Sequence, residues 1–264
     1  MSAPRPSFTA RGIAHVRARL NRPSAATGDP GVGALLAQDL GRPLPLHLAR
    51  FFVSYVRGRT QFFDEQVADA VGSAPGQVVI VGAGYDDRAL RFRTSGIRFI
   101  EVDHPVTQED KRRRLGRLGV DVSGIEFVSV DFEAETVNTM LEGVLDPAHP
   151  TTLICEGVLP YLTRPTVETL LQSLSRCAGS PLQLAVDLPT VSESLAGRAS
   201  FAAFRIYAAA AGERVRTALR RSEVPGLIQQ AGWTARRYVT GKELGMSAAR
   251  AETLFVVADA GVAV

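Results

Sequence analysis

The strongest constraint on the fold is a change of texture near residue 76. Before it, loops rich in Pro and Gly join helical patterns: Leu35, Leu36 and Leu40 after Asp29-Pro30-Gly31, then Leu44, Leu46, Leu48, Phe51, Phe52 and Tyr55, then Phe62, Phe63, Val67 and Ala70. After it, short β-branched runs at 77–81, 97–102, 125–130, 152–155 and 182–186 recur at intervals of about 20 to 30 residues. Helical patterns separate them. Pro105 opens one, with Glu109/Arg113 and Asp110/Arg114 spaced i,i+4 and Gly119 at its end. Thr163 caps another, which sets Val167, Leu170, Leu171 and Leu174 on one face. Strand alternating with helix means βαβ units and a mainly parallel sheet covered on both sides. Residues 191–222, rich in Ala and Arg, read as helical. A short helix at 224–231 ends at Gly232, and strands at 233–239 and 253–258 close the sheet with an antiparallel ending.

A chain of 264 residues with 45% hydrophobic content can bury a full core as one large domain, or one domain plus a cap. The division expected is a helical cap over 1–75 and a sheet domain over 76–264, with a helical insertion near 188–222. Cys155 and Cys177 sit in apolar stretches, so neither a disulfide framework nor a metal site is expected. Residues 1–22 hold no apolar core of signal-peptide length, and no run approaches a membrane span, so a cytoplasmic protein without a membrane partner is expected. The basic residues are nearly all arginine, Lys111 and Lys242 being the only lysines, and the pI is about 9.1 at a net charge of +3. Clusters at Lys111-Arg112-Arg113-Arg114 with Arg117, and at Arg214, Arg216, Arg220 and Arg221, raise nucleic acid as a partner. Acids one turn before the first cluster favour a solvated helix face, and no nucleic-acid partner is expected.

In an open α/β sheet a ligand binds beyond the carboxyl ends of the strands. Each of the first four strand ends carries an acid: Asp86 and Asp87 after Gly82-Ala83-Gly84-Tyr85, Glu101 and Asp103 before His104, Asp131 before Phe132, and Glu156 before Gly157. The glycine turn lets backbone approach a ligand, but charged residues replace the third glycine of a dinucleotide fingerprint, which disfavours a pyrophosphate and hence a nicotinamide-dependent dehydrogenase. Asp103, nineteen residues after Gly84, is placed to take ribose hydroxyls. Asp131 and Phe132 offer a polar contact and an apolar face to a purine. Together these features suit a nucleoside-containing, phosphate-free, cationic ligand.

Arg59-Thr60-Gln61-Phe62-Phe63-Asp64, VVIVGAGYDDRALRF, FIEVDHPVTQEDKRRRL, VSVDF and CEGVLPYLTRPTVETLL, in this order, resemble the leucine carboxyl methyltransferase family, including its bacterial polyketide carboxyl methyltransferase branch. The resemblance runs from about Phe51 to Arg176, with a weaker echo at Ala231-Gly232-Trp233. It implies a class I methyltransferase Rossmann-like α/β fold, a mainly parallel seven-stranded sheet with an antiparallel last strand plus the helical cap, and S-adenosyl-L-methionine as methyl donor. By resemblance, Arg59 takes the donor's carboxylate, Gly82 and Gly84 lie under its methionine part, Asp103 holds the ribose, Asp131 and Phe132 flank the adenine, and Glu156 takes the amino group. Asp86 and Arg88 are expected to pair and brace the turn. Tyr85 departs from the aliphatic residue usual there.

The implied activity is O-methylation of a small-molecule carboxylate or hydroxyl in bacterial secondary metabolism. A carboxylate acceptor needs no general base, whereas a phenol or enol gains from one. His104, Glu156, Tyr161 and Asp187 are the groups in range of the strand ends, His104 and Tyr161 being the catalytic candidates. Phe201, Phe204, Tyr207 and Trp233 are candidate walls for an aromatic or lipid-like acceptor.

Overall fold

The structure is a computed structural model that describes residues 8–41, 46–191, 195–210, 213–247, 250 and 253–261. Helices α1 (Phe8–Arg17), α2 (Val32–Asp39) and α3 (Leu46–Gly72) precede the first strand. The alternating part then runs β1 (Gly76–Val81), α4 (Arg88–Arg91), β2 (Ile97–Asp103), α5 (Pro105–Arg117), β3 (Ile125–Ser129), α6 (Val137–Met140), β4 (Thr151–Cys155), α7 (Arg164–Leu174) and β5 (Leu182–Leu188). It ends with α8 (Leu195–Ala210), α9 (Val224–Gln230), β6 (Trp233–Thr240) and β7 (Leu254–Ala260).

The seven strands form one sheet in the order β3-β2-β1-β4-β5-β7-β6. The first five are mutually parallel, and β7 runs antiparallel between β5 and β6. The order reverses between β1 and β4, the crevice where such sheets bind ligands. Every residue of β1 is buried, as a strand covered on both faces requires. Its period-2 alternation separates two cores. Val79 and Val81 join Leu153, Cys155 and the inner face of α7, while Val78 and Ile80 join Ile154, Phe62, Phe63 and Phe255 on the other side.

From Leu46 on, the helical run expected at 44–55 and the one at 62–70 belong to a single helix, α3, residues 44 and 45 lying outside the described residues. Gly58 within it allows close approach: a Cβ there would lie 2.7 Å from the Leu244 carbonyl oxygen. The helix expected over 191–222 ends earlier, at Ala210. From Glu213 the chain is extended, because Arg216 N–H donates to the Pro160 carbonyl and Leu219 bridges the Pro189–Val191 segment through Val191 N–H and Leu219 N–H. Val215 and Thr217, both β-branched, suit that extended path.

Candidate functional site

Strand register builds the site. Val81 pairs with Val102 on one side and Cys155 on the other, and Cys155 pairs with Val186. The next residues out, Gly82, Asp103, Glu156 and Asp187, therefore stand in one row at the carboxyl edge of the sheet. Above this row lies a cavity of ≈ 660 Å³ lined by Arg59, Gly82, Gly84, Asp103, Asp131, Phe132 and Glu156, with His104 and Tyr161 on its wall. The residues assigned to the donor and the two catalytic candidates thus share one cavity.

The glycine turn is fixed by sterics and by Asp103. Gly82 has φ +67°, and a Cβ there would sit 2.3 Å from Val158 Cγ2. One Asp103 oxygen accepts the Gly84 N–H, and the other accepts the His104 N–H at 2.6 Å. Burial pushes the Asp103 carboxyl up while these two amides pull it down, and it stays above the ordinary aspartate value. Asp131 Oδ1 accepts the Glu133 N–H at 3.0 Å, which holds the loop that carries Phe132.

Beneath the turn lies an ion-pair network of five arginines, Arg17, Arg22, Arg59, Arg88 and Arg91, and five carboxylates, Asp64, Asp86, Asp87, Glu156 and Asp187. Its net charge is zero, which makes burial of so many ions tolerable. Arg88, fully buried, reaches Asp64 at 2.7 Å, Asp86 at 2.6 Å and Glu156 at 2.6 Å. Asp86 and Asp87 are therefore not bare acids offered to a ligand: Arg17 and Arg88 neutralise the first, Arg22 and Arg91 the second. The expected Asp86–Arg88 brace is present within this larger frame.

At Glu156 the network is left incomplete. Oε2 accepts from Arg88, but Oε1 lies 2.5 Å from Arg17 Nη2 and 2.8 Å from Arg59 Nε without an aligned hydrogen bond. The Nε atoms of Arg17 and Arg59 are likewise buried without hydrogen bonds. Burial raises the Glu156 carboxyl, yet Arg17, Arg88 and Arg59 together outweigh it and hold the group ionised well below the usual range. One buried acceptor beside two buried donors is the complement of a zwitterion: an ammonium for Glu156 and a carboxylate for the guanidiniums.

A smaller cavity of ≈ 50 Å³ adjoins the first and shares Thr9, Ile13, Arg59, Gly157 and Tyr161 with it. Apolar walls come from Val16, Val56, Leu188 and Phe201, and polar groups from Tyr55, Asp187 and Arg250. Tyr55 lies between two guanidiniums, with Arg59 4.9 Å and Arg250 4.8 Å from its ring centroid.

Several expectations need correcting. Trp233 is no acceptor wall: it is buried in the core against α7, its Nε1–H donating to the Leu171 carbonyl at 2.8 Å. The Phe204 and Tyr207 side chains lie outside the described residues. His104 caps α5, its Nδ1 accepting from Val106 N–H at 3.3 Å, so that nitrogen is already engaged. Tyr161 is pushed up by burial and by Glu213 and stays a protonated phenol, unsuited to take a proton near neutrality. The Tyr85 hydroxyl is spent on Asp110 at 2.6 Å. Of the first basic cluster, Lys111 is interior, donating to Glu101 and to the Asp86 carbonyl at 2.6 Å each, and Arg114 is tied to Asp39 and Asp110.

Two contributors were not assigned a role from the sequence. Arg17, on α1, reaches the strand ends only through tertiary packing. Lys111 supports the glycine turn from below, although its place among three arginines read as a solvated basic face.

Comparison with known proteins gives a consistent picture. The profile of the family described as leucine carboxyl methyltransferase matches residues 30–175, just over half of the chain. A protein of Mycolicibacterium gilvum (strain PYR-GCK), provisionally named an S-adenosyl-L-methionine-dependent methyltransferase, is 32% identical over 160 residues, covering 59% of this chain and 52% of its own. One of the same name from Saccharopolyspora erythraea is 30% identical over 190 residues, covering 68% of this chain and 66% of its own. The match thus spans about half to two thirds of these relatives. Among solved structures, a protein of Thermobifida fusca YX provisionally described as a methyltransferase superposes with a TM-score of 0.62 at 14% identity, covering 98% of this chain and 96% of that one. The magnesium protoporphyrin IX methyltransferase of Synechocystis PCC 6803 with bound SAH gives 0.56 at 13% identity, covering 86% and 94%. At these identities the structural likeness concerns the fold.

Proposed function

The chain belongs to the leucine carboxyl methyltransferase family, and from that premise we propose that it is an O-methyltransferase acting on a small-molecule carboxylate or hydroxyl. The cofactor is S-adenosyl-L-methionine, which supplies an electrophilic methyl group on a cationic sulfur. The observation that carries this reading is the incomplete polar cluster around Glu156, a buried carboxylate oxygen beside two buried guanidinium nitrogens at the end of β4.

In this reading Glu156 binds the donor's ammonium, and Arg59 with Arg17 binds its carboxylate. Asp103 takes the ribose hydroxyls, with Gly82 and Gly84 leaving room for the backbone to approach. Asp131 and Phe132 flank the adenine. This places the reactive end of the donor toward Gly157 and Tyr161, which line both cavities. The reacting end of the acceptor enters the smaller cavity, where apolar walls exclude water and the side chains align its oxygen for an in-line displacement, a contribution of positioning. The helices before β1 form a cap over 1–75, the remainder, 76–264, being the methyltransferase domain. A role in bacterial secondary metabolism belongs to the same proposal, supported by the resemblance to the polyketide branch.

The test is twofold. S-adenosylhomocysteine should raise the melting temperature and nicotinamide dinucleotides should not; the reverse would overturn the donor. Labelled methyl groups should then pass from the donor to members of a panel of small carboxylic acids and phenols.

A further inference from the structure

Asp187 is the member of the strand-end row that the donor does not need. It follows directly from the register, standing beside Glu156 at the end of β5 and lining the smaller cavity. Its two oxygens are held unequally. Oδ1 accepts a short hydrogen bond from Gly157 N–H at 2.6 Å, which locks the side chain. Among the described residues Oδ2 has loose neighbours, the Tyr55 hydroxyl at 3.5 Å and Arg59 Nη1 at 3.7 Å. The side chain is 4% exposed. A buried carboxylate with one anchored oxygen and one lightly held oxygen, beside a small cavity that adjoins the larger one, has the form of a general base.

We propose that Asp187 is the catalytic base of this enzyme and that its acceptor is consequently a protonated hydroxyl, a phenol or an enol, rather than a carboxylate. The inference rests on the donor placement proposed above. A carboxylate acceptor arrives ionised and has no use for a base. In the step proposed, Asp187 Oδ2 takes the hydroxyl proton as the acceptor oxygen forms its bond to the methyl carbon. The carbon–sulfur bond breaks with its electron pair passing to sulfur, which leaves as a neutral thioether. The proton on Asp187 is afterwards released to solvent. Tyr55, bonded to Arg59 at 3.0 Å and leaning toward Oδ2, orients the accepting oxygen.

The groups facing Asp187 are Tyr55 and Arg59 on α3, Glu156 and Cys155 at the end of β4, and Arg250 from the segment before β7. Burial raises its carboxyl above the ordinary value, with Arg59 and the Gly157 amide pulling against it. That is the direction that makes a carboxylate a stronger base.

The test compares wild type with Asp187→Asn, whose Oδ1 can still accept the Gly157 N–H. With a phenol of ordinary acidity, kcat should fall about 100-fold or more. With 4-nitrophenol, which ionises on its own above neutral pH, the loss should shrink to a few-fold. S-adenosylhomocysteine affinity by calorimetry should change little. For the unactivated phenol the acid limb of wild-type kcat should lie above the ordinary aspartate value and disappear in the variant. An equal loss on both phenols would reduce Asp187 to a structural role and overturn the proposal. So would a wild-type enzyme that methylates carboxylic acids only, or transfer to them that Asp187→Asn leaves intact; the methyltransferase reading would survive either result. Failure of wild type to bind S-adenosylhomocysteine would remove both.

Discussion

Arg17 Nη2 lies 2.5 Å from Glu156 Oε1, so that the last turn of the first helix touches the carboxylate at the end of the fourth strand. The contact spans most of the alternating part of the chain and closes α1 over the larger cavity, which Thr9, Ala10, Ile13 and Arg17 also line. It couples the position of α1 to whatever Glu156 and Arg59 hold.

The first prediction follows from this contact. Arg17 Nε and Arg59 Nε lack hydrogen bonds where a donor carboxylate would supply them. A charge-assisted hydrogen bond contributes about 1.5–3 kcal/mol, roughly 10- to 150-fold in affinity. Arg17→Met should therefore weaken S-adenosylhomocysteine binding by about that factor in calorimetry, and Arg59→Met by at least as much. Tighter binding in Arg17→Met would mean that Arg17 competes with the donor for Glu156.

A second prediction concerns Asp103. Its carboxylate is shared by two backbone amides, one of which, Gly84 N–H, belongs to the glycine turn. Asp103→Ala removes the ribose partner and leaves both amides without their acceptor. Donor affinity should fall by about 2–4 kcal/mol equivalent, and stability by about 1–3 kcal/mol. Calorimetry and urea denaturation separate the two, and an unchanged affinity would disprove the ribose assignment.

The architecture was legible where each element is buried on a simple period. The runs at 77–81 and 152–155 are enclosed on both faces, so β1 and β4 show as continuous β-branched stretches. Thr163 shows as a cap because the cap is local: its hydroxyl accepts Thr166 N–H three residues on. The row Gly82, Asp103, Glu156 was foreseeable because each residue follows or ends a strand. Illegible features depend on residues far apart. Nothing near Arg17 signals that it meets Asp86 and Glu156, and nothing near Arg22 that it meets Asp64 and Asp87. Five of the 28 arginines, Arg17, Arg22, Arg59, Arg88 and Arg91, serve as internal counter-charge to buried carboxylates rather than as a surface for a polyanion. The segment after Glu213 misled for the same reason, since its extended form is set by hydrogen bonds to Pro160 and Pro189 rather than by its own composition.

The third prediction is a pH dependence. Against the effect of burial, which raises it, Arg17, Arg88 and Arg59 bring the Glu156 carboxyl from 4.5 down to about 2. Asp86 and Asp87 are shifted in the same direction, each against burial, by Arg88 and Arg17 and by Arg22 and Arg91. Carboxyls depressed in the folded state bind fewer protons than in the unfolded state, so their stabilisation is present above about pH 4.5 and lost as pH falls toward their folded values. The melting temperature should decline steeply from about pH 5 to pH 3. Glu156→Gln, which leaves three arginines short of one charge, should be less stable at pH 7 by about 3–5 kcal/mol. It should also show a shallower acid decline. An acid limb as steep as that of wild type would place the loss elsewhere.

The last prediction tests the turn itself. Gly82 combines a left-handed φ of +67° with a Cβ position 2.3 Å from Val158 Cγ2. Gly82→Ala therefore meets two separate obstacles. The backbone conformation costs about 1–2 kcal/mol for any L side chain. The overlap adds to this, because the β-branched Val158 has little rotamer freedom with which to retreat. Val158→Ala alone removes two methyl groups from a buried position and should cost about 1–2 kcal/mol. In the double variant the overlap is gone while the backbone cost remains, so the total loss should be smaller than the sum of the single losses. Urea denaturation of the three variants measures this coupling. Donor affinity should follow the backbone cost, staying depressed in the double variant, since a displaced turn carries Gly84 N–H away from Asp103. Full recovery of donor binding in the double variant would show that only the overlap with Val158, and not the left-handed turn, shapes the donor site.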